Sequence, residues 1–95
     1  MPMRSWSNPE LGQVANMVTT WKEAYFSQVG PGEGWEVLCD ELREEIRMFI
    51  HPYVGKLYTL QVIQEEEFRE FLRFCDETVE ELRRMIEERN YAGKV

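Results

Sequence analysis

Phe68, Leu72, Cys75, Val79, Leu82 and Ile86 recur at alternating spacings of four and three, which sets them on one stripe of an α-helix. Phe71, Phe74 and Met85 widen that stripe to an arc of roughly 160°. Glu65, Arg69, Arg73, Asp76, Glu80, Arg84 and Glu87 occupy the other side. So broad an apolar arc has to be buried, and against more than one neighbour. The pattern predicts a long helix over about 64–90, starting near the acids Glu65, Glu66 and Glu67, which suit the positive end of its dipole. Arg83, Arg84 and Arg89 suit the negative end, and Gly93 falls in the tail beyond it.

Two further helices precede it. Asn8-Pro9-Glu10 combines an N-cap residue, a proline at the first helical position and an acid in the first turn. Leu11, Val14, Val18, Trp21 and Tyr25 then carry a helical stripe to about Val29. Gly30-Pro31-Gly32-Glu33-Gly34 ends it, with Gly30 suited to a left-handed cap. The second helix runs from Trp35 through Leu38, Leu42, Ile46, Phe49 and Ile50, with Cys39 on the flank of this stripe. It is expected to stop near His51, because Pro52 disfavours helical geometry in the residue before it. The apolar stretch from Tyr53 to Leu60 is read as a packed connection with at most a short helical turn. The expected fold is therefore all-α: one domain over 1–95, a three-helix up-down-up bundle with helices at about 9–29, 35–51 and 64–90.

Composition supports a folded chain. At 43% hydrophobic and 13% aromatic it has ample core material despite 31% charge. A domain of 95 residues still leaves much surface unburied, so pairing with a second chain is expected, as a dimer covering part of the third helix. The net charge of −7 argues against nucleic acid, whose phosphates need Lys or Arg. Most basic residues are interleaved with Glu, as in Glu80 with Arg84 and Arg83 with Glu87. No stretch of about 18 apolar residues is present to span a membrane. Residues 1–6 lack the apolar segment of a secretory signal, and two cysteines are too few for a disulfide framework, so a cytoplasmic setting is expected.

Cys39-Asp40-Glu41 with Glu44-Glu45-Ile46-Arg47 and Ile50 matches Cys75-Asp76-Glu77 with Glu80-Glu81-Leu82-Arg83 and Ile86 at one constant offset. Shared composition of two acidic amphipathic helices accounts for this more simply than a decayed duplication.

The candidate chemistry is sparse. The glycine turn at 30–34 opens a helix, where backbone N–H groups bind phosphate, but it follows a helix and lacks the Lys and Ser/Thr of a phosphate loop. His51, the only histidine, lies near Tyr53, Lys56 and Tyr58, a set of side chains from which a general acid or base can be built. At a helix C-terminus, however, its expected work is capping carbonyls. Cys39 and Cys75 read as small core hydrophobes, with a helix–helix disulfide or metal binding as alternatives.

Glu41-x-x-Glu44 and Glu77-x-x-Glu80 put two acids one turn apart on each of two helices, a spacing that lets neighbouring helices hold Mg²⁺. This is analogous to the paired acidic motifs of all-α nucleotide pyrophosphohydrolases. Glu77 and Glu80 nevertheless point away from the apolar stripe, as a solvated ion-paired face would. Aromatics are abundant for so small a chain, and Trp6, Phe68, Phe71, Phe74 and Met85 are the candidates for an interface. A ligand pocket between helices, lined by Trp21, Trp35 and Tyr53, is a further alternative. The leading expectation is a non-catalytic protein–protein interaction or accessory protein with no cofactor, and a Mg²⁺-dependent nucleotide hydrolase using the four Glu residues is the alternative.

Overall fold

The computed structural model describes residues 6–29 and 34–92, the side chains of 91 and 92 excepted. Residues 30–33 of the glycine-rich segment, with the left-handed cap expected at Gly30, the segment at 1–5 and the tail from Gly93 lie outside the described residues. Within them the chain is all-α, without strands: α1 (Pro9–Ser27), α2 (Trp35–Glu45), a π-helical turn (Ile46–Ile50), α3 (His51–Thr59) and α4 (Glu65–Ala92).

Local chemistry accounts for the boundaries. The Asn8 side chain accepts from the backbone N–H groups of Glu10 and Leu11, at 2.9 and 3.3 Å, and Pro9 follows it. Gly34 caps α2 with φ 99°, a backbone state that favours glycine. At the head of α4, the Glu67 carboxylate accepts from the Gln64 N–H at 3.0 Å, one half of a capping box.

The main departure from expectation lies at Pro52. The helix does not stop at His51: α2, the π turn and α3 follow without a break, making one helix from 35 to 59. A proline inside an α-helix lacks the N–H for the carbonyl four residues back, and its ring collides with that carbonyl. The π turn just before Pro52 widens the helix by one residue and relieves both problems. It also aligns the core. Leu42, Ile46, Ile50 and Val54 are each four apart, a spacing that drifts about 40° per step on a regular α-helix. All four are buried, because the extra residue takes up the drift. Residues 53–59, expected as a packed connection, are thus the second half of a helix.

That helix ends in a turn with no glycine. Gln61 adopts φ 62°, its N–H donates to the Tyr58 carbonyl, and the Val62 N–H donates to the Leu57 carbonyl. This is the hydrogen-bond pattern of a Schellman cap. The Asn8 amide donates to the Val62 carbonyl at 3.3 Å, tying the start of α1 to this turn.

The core is a single cluster drawn from every helix, centred on Leu11, Val18, Leu42, Ile46, Val54, Phe71, Leu82 and Ile86. Contacts between α1 and α4 rise together along the chain, from Trp6 on Phe71 and Phe74 through Lys22 on Glu81 to Arg89 over the Phe26 ring. Along the middle helix they run in reverse, Tyr58 on Phe68 and Arg43 on Glu80. The broad apolar arc of α4 is accordingly covered within the chain, between α1 and the middle helix. Every exposed position from Glu65 to Arg89 is charged. Among the described residues, no helix is long and apolar enough to cross a membrane.

Candidate functional site

Of the five residues expected at an interface, Phe71 is fully enclosed, 0% exposed, and belongs to the core. Its ring meets Trp6 at 5.3 Å and Phe74 at 5.6 Å, so the widened edge of the α4 stripe is where the segment before α1 folds back. Phe74 takes Trp6 edge-on at 5.6 Å, and Phe68 stacks on Tyr58 at 5.0 Å with parallel rings. Trp6, Phe68, Phe74 and Met85 are each half-buried. These aromatics are engaged within the chain.

Exposed apolar side chains lie elsewhere: Val37 on α2, Leu60 and Val62 in the turn after α3, and a group between α1 and the middle helix. Met17, Trp21, Phe49 and Tyr53, with Gln13, Val14 and Ile50, line a groove of about 440 Å³ between α1 and the middle helix. Phe49 is 62% exposed, Met48 60%, Met17 48% and Tyr53 44%. Phe49 is therefore not the core residue its spacing predicts: the core stripe runs through Ile46 and Ile50, leaving Phe49 on the groove wall. Trp21 and Tyr53 share this groove, as a pocket reading anticipates, but Trp35 is not among its lining residues and packs against the core instead. At the other end, α1 and α2 are joined by the Tyr25 hydroxyl, which donates to the Glu45 carboxylate. Burial, then the hydrogen bond and charge of Glu45, hold the Tyr25 phenol above its ordinary range, so it stays a donor.

The groove is electrically neutral. No Asp, Glu, Lys or Arg occurs from Leu11 to Trp21 or from Met48 to Gly55, the two stretches that supply its walls, in a chain that is 31% charged. Its outward positions on α1 are Gln13, Asn16, Met17 and Thr20. Ala24 to Gly32 and Leu57 to Gln64 are equally free of charge, so neither charge pattern nor hydrophobic spacing in the sequence singles out this face.

The paired acids do not converge. Glu41 and Glu44 are exposed on α2, and Glu77 and Glu80 are exposed on the outer face of α4 beside Arg73 and Arg84. Glu80 is held by Arg43 and Arg83, each at 3.9 Å, rather than by the Arg84 its spacing favours. Among the described residues, no group of three or more His, Cys, Asp or Glu side chains is arranged to hold a metal ion.

His51 sits inside the long middle helix, not at a helix end, so capping is not its role. It lines a small cavity of about 90 Å³ with Arg43, Ile46, Arg47, Cys75, Asp76 and Val79, and its Nε2 is buried without a hydrogen-bond partner. Burial lowers its pKa and Arg47 adds to this, while Asp76 opposes them. Cys75 nearby is 1% exposed, and burial followed by the charge of Asp76 pushes its thiol up to about 12. A thiol so protonated is not an activated nucleophile. Cys39 is likewise free and buried, its thiol also raised by burial. Both cysteines serve as core hydrophobes.

No family model, curated protein or solved structure matches this chain.

Proposed function

We propose that this chain is a non-catalytic protein–protein interaction or accessory protein, an up-down-up helical bundle whose contact surface is the neutral groove between α1 and the middle helix. One observation carries the reading. Three large apolar side chains, Met17, Phe49 and Tyr53, stand exposed together on a face with no formal charge. Aromatic residues and methionine are enriched, and charges depleted, at the centres of protein interfaces. Single exposed hydrophobes are ordinary, but a contiguous group of this kind marks a contact site.

A photo-crosslinking residue placed at Gln13 or Tyr53 in cells tests this. Discrete protein adducts are expected from both groove positions and none from Glu87 on the charged face of α4. Adducts absent from the groove, or equal at all three positions, would remove the reading.

A further inference from the structure

We propose that the groove receives a second copy of this chain, in a two-fold contact that seats Phe49 of each copy against Trp21 and Met17 of the other. This rests on the reading of the groove as a contact surface and adds what fills it.

Charge is the first argument. Each copy carries −7, and the exposed positions of α4 include nine acids: Glu65, Glu66, Glu70, Asp76, Glu77, Glu80, Glu81, Glu87 and Glu88. Two such chains repel wherever those faces meet. The walls from Leu11 to Trp21 and from Met48 to Gly55 let two copies approach with their acidic faces turned outward. A basic partner, by contrast, would be drawn to the acids of α4 and would gain nothing from a neutral groove.

Shape is the second. A two-fold contact uses the same patch on both copies, so each patch must hold a projection and a recess side by side. Phe49, 62% exposed, stands on the middle-helix wall of the groove, and Met17 and Trp21 stand on the α1 wall, so one patch carries both an open ring and a place to receive one.

Size is the third. A chain of 95 residues leaves a larger share of its surface unburied on folding than a longer one does, and a second copy over the groove covers apolar surface that the fold alone leaves open.

The test is the mass of the full chain by sedimentation equilibrium across a micromolar dilution series, with Phe49→Glu beside the wild type. A dimer is expected for the wild type, weakened by about a hundredfold or more in Phe49→Glu, which places an unpaired charge in both grooves. Because Phe49 is exposed in the single chain, the circular dichroism and melting of a monomeric Phe49→Glu should match those of dissociated wild type. Glu87→Gln, on the far face, should leave the dimer intact. A crosslinker at Phe49 in a mixture of isotope-labelled and unlabelled protein should join labelled to unlabelled chains at Gln13–Trp21. A wild type that is monomeric throughout, or a dimer indifferent to Phe49→Glu, overturns the proposal. If crosslinkers in the groove then capture a different protein in cells, the groove remains a contact surface and only the second copy is wrong. If they capture nothing, both readings fall.

Discussion

The backbone N–H of His51 donates to the carbonyl of Ile46, five residues earlier, and this one bond sets the course of the middle helix. It opens the turn ahead of Pro52, so the helix passes through a residue that would otherwise end it. The same extra residue keeps Ile46 and Ile50 on the core and leaves Phe49 outside it, on the groove wall. The proline, the wide turn and the exposed aromatic are thus one structural feature.

Gly55 lies just after that turn, in the body of α3, where its helical conformation needs no glycine. A Cβ added there, or at Gly12 in α1, meets no heavy atom within 4 Å. Gly55→Ala and Gly12→Ala should each stabilise the fold by about 0.5–1 kcal/mol, because alanine loses less backbone entropy in a helix. Urea unfolding with an unchanged slope is the measurement. A loss of stability at Gly55 would show that the helix is not continuous through 51–59.

Gln61 presents the opposite case. Its φ of 62° is a conformation that costs a non-glycine residue roughly 1 kcal/mol or more, and the turn is fixed by the Leu57 and Tyr58 carbonyls. Gln61→Gly should therefore raise the melting temperature, even though glycine elsewhere in the chain lowers stability. A neutral or destabilising result would mean that Gln61 is not left-handed in solution.

How much of this was legible in the sequence depends on the kind of signal. The long helix was readable because Phe68 to Ile86 keeps one phase for five turns, and the start of α1 because Asn8, Pro9 and Glu10 each answer a backbone need. The helix through Pro52 was hidden, since the rule for the residue before a proline assumes α-geometry and a π turn evades it. The turn at Gln61 was hidden because nothing there is glycine. The groove was hidden for a different reason. Periodicity identifies which residues of one helix are apolar, but not which stripe a neighbour covers, so Phe71 and Phe49 exchanged their expected places. The groove's walls, Leu11 to Trp21 and Met48 to Gly55, lack charge, but so do Ala24 to Gly32 and Leu57 to Gln64, so that signal does not single it out either.

Phe71 and Phe49 therefore make a sharp pair of substitutions. Phe71→Ala removes a ring with no exposed surface and its contacts with Trp6 and Phe74, so a loss of about 3–5 kcal/mol is expected. That is enough to unfold much of a marginally stable small domain at ambient temperature. Phe49→Ala, under dilute conditions, should change stability by no more than about 0.5 kcal/mol. Thermal melts of the two variants at low concentration decide between them, and equal losses would mean that Phe49 is buried after all.

The imidazole of His51 makes stability depend on pH in a direction that can be worked out. Burial, aided by Arg47 and opposed by Asp76, lowers its pKa in the folded chain, so the unfolded chain takes up the proton first as the pH falls. The contribution is complete above the unfolded value of about 6.5 and is lost as the pH drops through the folded one. Replacing the ring by Phe removes both the titration and an Nε2 buried without a partner. His51→Phe should thus be neutral or stabilising at pH 7.5, and its advantage over the wild type should grow towards about pH 5, where the wild type alone must bury a charged ring or unfold. The carboxylates titrate alike in both proteins, so the difference between their melting curves isolates His51. Parallel pH dependence in the two would show that the imidazole is hydrated rather than enclosed between the π turn and α4.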